Sequence, residues 1–202
     1  SLGVPALRFS HQAGHIMAAA TTCGKPDIAC SPFLCFHVSG GTTELVYATL
    51  SDKNGFDVKI VGGTADISAG QLIDRTGVLL GLKFPCGGEL EKLAEKVGKQ
   101  KVKISANGAL CNYSGAENNT VKMLRDGKSA AETARYALDF CSASLISSVR
   151  AARKDYGDIP VLFAGGVMRD MIIRHELENE LENIFFGSVE LSSDNAVGTA
   201  WL

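Results

Sequence analysis

The sequence has little of what would place it outside ordinary globular proteins. Only 5 of its 202 residues are proline, which argues against a collagen-like or proline-rich disordered chain. It has no stretch near the ~20 consecutive apolar residues that a membrane-spanning helix needs, and no basic segment followed by an apolar one opens the chain. We therefore expect no contact with a membrane.

Neither sign of charge is in large excess. Lys and Arg number 20 and Asp and Glu number 22, so the net charge is −2 and the pI is near 6.1. A protein without a basic surplus does not attract nucleic acid through its overall field. A nucleic-acid partner would need a local basic patch or a second protein that helps to bind it.

The six cysteines are scattered, and the sequence has no C-x-x-C pair of the zinc-ribbon or thioredoxin kind. A domain of this length can bury a sizeable core without disulfides, and cysteine is among the most buried residue types. We therefore expect reduced, mostly buried thiols and a cytoplasmic location.

The first half of the chain predicts a small antiparallel sheet followed by helices. Segments 33–38, 44–50 and 56–61 are rich in strand-favouring residues, and glycine-containing turns separate them. Apolar spacing then predicts helices over 68–82 and 89–97.

The second half predicts a long helix and a short buried strand. Residues 99–125 are expected to form an irregular insert of hairpin and short helix. A helix begins at Ser129, because Ser129 and Glu132 fit a capping box, and it ends at Gly157. A buried strand over 159–164 and a helix over 168–181 follow.

Two glycine-rich turns are candidate phosphate and nucleotide sites. Ser39-Gly40-Gly41-Thr42 lies between two predicted strands, where glycines let backbone amides face an anion at close range; an ordinary glycine-rich hairpin is the alternative. Gly165-Gly166 lies where a buried strand passes to a helix, the place where open sheets bind nucleotides. The P-loop pattern G-x-x-x-x-G-K-[ST] is absent. The order of elements instead matches the actin-like ATPase plan.

A candidate metal site begins with His11 and His15, which share one face of a helix and could reach one divalent ion. Gln12 stands where zinc peptidases of the H-E-x-x-H type have their catalytic glutamate, and an amide cannot act as a base. A metal here would orient a ligand's oxygens. His37 and Asp194 are further candidates. The alternatives are surface or capping histidines, a half-buried His37 and a helix-capping Asp194.

Taken in order, seven motifs spanning nearly the whole chain resemble the tRNA threonylcarbamoyladenosine transferase family, long labelled glycoproteases. They are His11-x-x-x-His15, Val38-Ser39-Gly40-Gly41-Thr42-Thr43, Asp66-x-x-x-Gly70 with Asp74, Phe84-Pro85-Cys86-Gly87-Gly88, Tyr113-Ser114-Gly115, Ala164-Gly165-Gly166-Val167 and Asp194-Asn195-Ala196.

The resemblance implies an α/β actin-like ATPase fold, of the sugar kinase, Hsp70 and actin kind, with a mixed sheet flanked by helices. Residues 1–31 would be a histidine helix region from a preceding lobe, and 32–202 a nucleotide-binding lobe with an insert around 99–128. The chain begins without Met, and we interpret it as a piece of a longer protein that lacks its N-terminal lobe.

The resemblance also implies the site residues and the chemistry. Such proteins transfer a threonylcarbamoyl group from its adenylate to an adenosine of tRNA. The implied cofactors are a divalent metal, Fe or Zn, and ATP or an adenylate; tRNA would be reached through partner proteins, and a protein partner or a second copy of the chain is expected. The implied metal ligands are His11, His15 and Asp194, with His37 as a fourth. The implied nucleotide contacts are Ser39, Gly40, Gly41, Thr42, Asp74, Gly87, Gly165, Gly166 and Asp170.

Several residues depart from the family's usual pattern in ways that oppose the binding of an adenylate. Thr42 replaces a His or Asn, Glu117 replaces a Lys, and Asp170 replaces an Asn. These changes predict weak or absent transfer, and a gain in nucleotide affinity from Glu117→Lys. They leave open a catalytically inactive paralogue that senses a nucleotide or binds a partner. A metallopeptidase is disfavoured by Gln12.

Overall fold

The computed structural model describes residues 11–25, 27–52, 55–188, 190–191, 198 and 200, and it leaves the side chain of His11 undescribed. The helices are α1 (His11–Thr22), α2 (Ala69–Leu79), α3 (Gly87–Ala94), α4 (Ser114–Arg125), α5 (Ala130–Tyr156) and α6 (Met171–Glu180). The strands are β1 (Phe33–Val38), β2 (Thr43–Ser51), β3 (Gly55–Thr64), β4 (Ser105–Asn107), β5 (Leu110–Asn112), β6 (Val161–Ala164) and β7 (Ile184–Phe186).

The strands form one mixed sheet in the order β4-β5-β3-β2-β1-β6-β7. The predicted meander is confirmed, because β2 is antiparallel to both β1 and β3. The strand after the long helix, β6, lies parallel to β1, and His37 is level with Ala164. The turns that follow β1 and β6 therefore lie side by side, at the carboxyl ends of these two strands.

Helices cover both faces of this sheet. The alternation of side chains sends Leu34 and Phe36 of β1 to one face and Phe33 and Cys35 to the other, and all four are buried. Helices α2 to α6 contribute to the core on the first face, and α1 to the core on the second. This is the predicted mixed sheet flanked by helices.

Capping boxes define where two of the helices begin. At Ser129 the predicted box is present: its side chain accepts from the Glu132 amide, and Glu132 reaches back to the Ser129 amide. Ser68 and Gln71 form a second box at the start of α2. The Ser68 hydroxyl also donates to the Gly40 carbonyl at 2.8 Å, which ties α2 to the turn between β1 and β2.

Residues 105–125 form the predicted hairpin, at the edge of the sheet, and the predicted helix, α4, which has 12 residues. Two other details differ from the expectations of the sequence. The helix expected over 168–181 is a short 3-10 turn followed by α6, because Asp170 adopts an extended conformation and caps the second helix. Strand β7, with only three residues, was not predicted.

The cysteines follow the prediction: all six are free, and Cys35, Cys86, Cys111 and Cys141 are buried. Within the described ranges, the structure has no helix long and apolar enough to cross a membrane.

Candidate functional site: two glycine turns around one cavity

The glycine hairpin, residues 39–42, joins β1 to β2 and is held by its own hydrogen bonds. The Ser39 amide donates to the Thr42 carbonyl at 2.8 Å, and the Thr42 amide donates to the Ser39 hydroxyl at 3.1 Å. A Cβ on Gly40 or on Gly41 would meet no atom of the described residues within 4 Å. The hairpin therefore presents these two glycines to open space.

The hairpin rests on the first turn of α2. A Cβ on Gly70 would lie 2.4 Å from the Ser39 carbonyl oxygen and 2.5 Å from the Cα of Gly40, so only glycine allows this approach. The Thr43 hydroxyl accepts from the Ala69 amide at 2.9 Å. These contacts hold the hairpin against the helix.

The double-glycine turn, Gly165 and Gly166, follows β6 beside the end of β1. Gly165 has φ +103°, a conformation that other residues rarely adopt, and its Cβ would lie 2.3 Å from the Val38 carbonyl oxygen. The sequence needs glycine here because the turn crosses directly over the end of the neighbouring strand.

Between the two glycine turns lies a cavity of about 610 Å³, which we call the central cavity. Its wall contains six of the nine residues predicted to bind a nucleotide, and the other three belong to the same two turns. The six are Ser39, Gly40, Asp74, Gly87, Gly166 and Asp170. The remaining wall residues are Gly70, Ile73, Phe84, Pro85, Gly88, Glu91, Val167 and Arg169.

Asp74 connects the cavity wall to the start of α3. Its Oδ1 accepts a hydrogen bond from the Cys86 amide at 2.9 Å. Helix α2 also packs closely on Cys86 at Gly77, where a Cβ would lie 2.2 Å from the Cβ of Cys86. Asp74 thus fixes where Gly87 and Gly88 stand in the wall.

Asp170 is the buried carboxylate of the wall, with only 7% of its surface exposed. Its Oδ1 caps α6 by accepting from the Ile173 amide at 2.9 Å, whereas Oδ2 is buried and has no hydrogen-bond partner within the part of the chain that the structure describes. Burial raises the pKa of this carboxyl to about 7, and the nearby Glu91 adds to the shift. Near neutral pH the group is therefore poised between its two forms.

The raised pKa makes a prediction for stability. The folded-state pKa lies above the ordinary value of 3.8, so the unfolded chain loses the Asp170 proton at a lower pH than the folded protein does. The free energy of unfolding therefore falls as pH rises from about 4 to about 7. Asparagine keeps the helix cap without the charge. Asp170→Asn should therefore have a higher free energy of unfolding than the wild type, by about 4 kcal/mol at pH 8 and by about 1 kcal/mol or less at pH 4.5, as measured by urea unfolding. An equal change at both pH values would contradict this account of the buried charge.

Two of the four predicted metal ligands come together. His15 of α1 and His37 of β1 stack with ring centroids 5.1 Å apart and an interplanar angle of 29°. The His11 side chain and Asp194 lie outside the described residues. Within those residues, no group of three or more His, Cys, Asp or Glu side chains could hold a metal. Gln12, next to His11, donates to Glu44 at 3.4 Å.

Glu117, expected near the phosphates, is paired with a cation. It lies in the first turn of α4, and its carboxylate forms an ion pair with the Arg75 guanidinium at 3.0 Å. The pair spans 42 residues, so sequence spacing could not reveal it. The arginine compensates the negative charge that was expected to repel a nucleotide.

Asp66 belongs to a motif of the resemblance, but its contacts cannot be predicted from the sequence. It accepts from the Tyr113 amide at 2.8 Å and from the Ser114 hydroxyl at 2.6 Å. Burial acts to raise the pKa of Asp66, but the hydrogen bonds from Ser114, Tyr113 and Ile67 outweigh it and lower the pKa. This carboxylate ties the end of β3 to the start of α4.

A second cavity, of about 530 Å³, lies against α5 and was not predicted; we call it the α5 cavity. Its charged side chains are Lys99, Asp139, Arg150, Lys154, Glu176 and Glu180. Lys99 pairs with Glu176, and Arg150 pairs with Glu180 at 2.8 Å. Three cations and three carboxylates balance each other, so the wall favours no ligand of one charge.

Solved structures similar to this chain support the fold. HypF in its phosphate- and nucleotide-bound form superposes with a TM-score of 0.75 and 11% identity, covering 99% of this chain and 37% of HypF. Component A of the (R)-2-hydroxyglutaryl-CoA dehydratase of Acidaminococcus fermentans gives a TM-score of 0.60 and 19% identity, over 95% of this chain and 66% of that protein. The predicted actin-like ATPase type of fold is confirmed.

Proteins that resemble this chain in sequence share more identical residues with it than these two structures do. A protein of Kosmotoga olearia named tRNA N6-adenosine threonylcarbamoyltransferase is 33% identical, covering 97% of this chain and 60% of the relative. One of the same name from Moorella thermoacetica is 31% identical over 97% of this chain and 60% of the relative. The chain thus spans about 60% of the length of these relatives. Residues 1–201 match the family described as tRNA N6-adenosine threonylcarbamoyltransferase. The chain belongs to this family, as its motifs predicted.

Proposed function

We propose that this protein binds ATP or an adenylate in the central cavity and transfers a threonylcarbamoyl group to N6 of an adenosine in tRNA. The family supplies the reaction. The observation that carries the proposal for this chain is the convergence of six predicted nucleotide contacts on one cavity wall. Partner proteins that present tRNA, and a protein partner or second copy of the chain, remain predictions.

The wall suggests how the nucleotide lies. Phosphates would face the glycine hairpin, where Gly40 and Gly41 leave room for close approach to the backbone. Asp74 and Gly87 would contact the ribose. The base would lie toward Gly166 and Asp170, and the unpartnered Oδ2 of Asp170 offers a hydrogen bond to a polar group on its edge.

The charges of the wall favour a nucleotide that arrives with a cation. Among the described residues, the wall has one cationic side chain, Arg169, and the carboxylates Asp74, Glu91 and Asp170. Such a wall does not by itself neutralise a polyphosphate. A protonated Asp170 and a bound divalent ion would both reduce the repulsion.

We propose Fe or Zn as that ion, held by His15 and His37 together with His11 and Asp194. The stacked imidazoles are the donor type that both metals accept. When bound, the ion would supply the positive charge that orients the oxygens of the ligand. The histidines hold their place because α1 packs on the same face of the sheet as the β1 residues Phe33 and Cys35.

Removing one imidazole tests the metal site. We expect His15→Ala to lose stoichiometric Fe or Zn, because a site that loses one of its few ligands binds far more weakly. His175→Ala is the matched control, since His175 is exposed on α6. Elemental analysis of both purified variants is the measurement. The proposed ligand set is wrong if His15→Ala retains its metal. It is also wrong if adding Fe or Zn does not change the melting temperature of the wild type.

The transferase proposal is tested by an assay on unmodified tRNA with a purified adenylate-forming partner. Because Arg75 compensates Glu117, we expect turnover by the wild type and no gain from Glu117→Lys. Nucleotide binding without any transfer would contradict the proposed reaction, and it is the outcome expected of the inactive paralogue.

A further inference from the structure

A second recess opens beside the central cavity. It has a volume of about 410 Å³ and is lined by Gly40, Gln71, Asp74, Arg75, Val78 and Phe84; we call it the Phe84 recess. Gly40, Asp74 and Phe84 belong to the walls of both spaces. The two spaces therefore meet at Gly40 and Asp74, which contact the phosphates and the ribose of the nucleotide in the proposed function.

Two large apolar side chains of this recess are unusually exposed. Phe84 is 74% exposed and Val78 is 57% exposed. A phenylalanine with three quarters of its surface in water gains little from burial in its own fold, so its ring is available to a ligand. Its ring gives the walls of both spaces a flat apolar face.

Polar groups surround this apolar face. Gln71 accepts from the Ser68 amide through Oε1 at 3.0 Å, and its Nε2 can donate to the edge of a planar ligand in the recess. Arg75 is held by Glu117 at 3.0 Å while about half of its side chain stays exposed. An aromatic ring, hydrogen-bonding side chains and a guanidinium are the groups with which proteins bind unstacked bases of single-stranded RNA.

We propose that the Phe84 recess holds the acceptor base, an unpaired purine of the RNA, stacked on Phe84. This inference rests on the proposed function, because a transfer between two ligands needs them to meet. The amino nitrogen of the base would form a bond to the acyl carbon, the bond from that carbon to the phosphate oxygen would break, and the nucleoside monophosphate would leave with the electron pair. The proton lost by the nitrogen passes to water.

The recess fits this position because the wall that it shares with the central cavity includes Gly40, at the phosphate end of the nucleotide. A base stacked on Phe84 has the central cavity beside it across Asp74 and Gly40, so its edge faces the end of the nucleotide where the acyl group is attached. The apolar side chains of the lining, Phe84 and Val78, also suit an uncharged base.

The probe is an RNA hairpin in which 2-aminopurine replaces one unpaired loop adenosine. Stacking on Phe84 should quench its fluorescence in the wild type. We expect Phe84→Ala and Val78→Asp to bind the hairpin about tenfold more weakly and Phe84→Trp to bind as the wild type does. The matched control is Ile60→Asp, since Ile60 is 60% exposed on β3 outside both walls; it should bind as the wild type.

ATP affinity of every variant is measured separately by calorimetry. Val78→Asp, which touches only the recess, should keep the wild-type ATP affinity. Unchanged RNA binding by both Phe84→Ala and Val78→Asp, or no quenching in the wild type, overturns the inference. If the variants change RNA binding as expected but the protein binds no ATP, the base-binding role of the recess is supported and the proposed function is contradicted.

Discussion

Replacing Gly165 with alanine is expected to lower the free energy of unfolding by about 3 kcal/mol or more. The residue has φ +103°, where a side chain is strained whatever space is available. In addition, its Cβ would lie 2.3 Å from the Val38 carbonyl oxygen and 3.1 Å from the His37 ring. Both are parts of β1, which is buried in the centre of the sheet and cannot move aside.

The adjacent glycine is the control for this prediction. Within the part of the chain that the structure describes, a Cβ on Gly166 would meet no atom within 4 Å, so Gly166→Ala should change stability by about 1 kcal/mol or less. Urea unfolding of both variants is the measurement. Equal stability of the two variants would mean that the turn does not cross β1 as closely as described.

Replacing Gly41 with valine should weaken nucleotide binding by about 2 kcal/mol or more, roughly thirtyfold, while the fold stays cooperative. The new Cβ has no atom of the described ranges within 4 Å, so we expect the fold to be unchanged. If phosphates approach the backbone of the hairpin, however, the valine side chain occupies their space. Calorimetric titration with ATP, ADP and AMP gives the affinities.

Gly98→Val is the matched control for the hairpin variant. Gly98 is exposed, and among the residues that the structure describes no atom would lie within 4 Å of its Cβ. It also lies outside the wall of the central cavity. The control should bind nucleotide as the wild type does. A Gly41→Val protein with unimpaired affinity would show that the hairpin does not contact the phosphates.

Much of the fold could be predicted because local signals agreed with the tertiary structure. The meander follows from strand-favouring segments separated by glycine turns, and the start of α5 follows from the capping box at Ser129. Strand β7 has only three residues and owes its pairing to β6, which no local pattern reveals. Likewise, the break before α6 depends on one capping residue, Asp170.

The candidate site was predictable where backbone geometry demands a residue type. Gly165 and Gly70 are needed because backbones touch there, and their motifs carried the resemblance to the family. Interactions across long sequence separations were not predictable. The Arg75–Glu117 ion pair and the hydrogen bonds of Asp66 join segments that only the folded sheet brings together. The metal ligands His11 and Asp194 remain predictions.

Photo-crosslinking with 8-azido-ATP tests most directly the claim that the nucleotide binds between the two glycine turns. If the base lies toward Gly166, the label should appear in the tryptic peptide 155–169, which contains the double-glycine turn, and excess ATP should prevent it. The rival binding site is the α5 cavity, whose wall includes residues of peptide 136–150. The account would be contradicted if peptide 136–150 were labelled, excess ATP prevented that labelling, and peptide 155–169 stayed unlabelled.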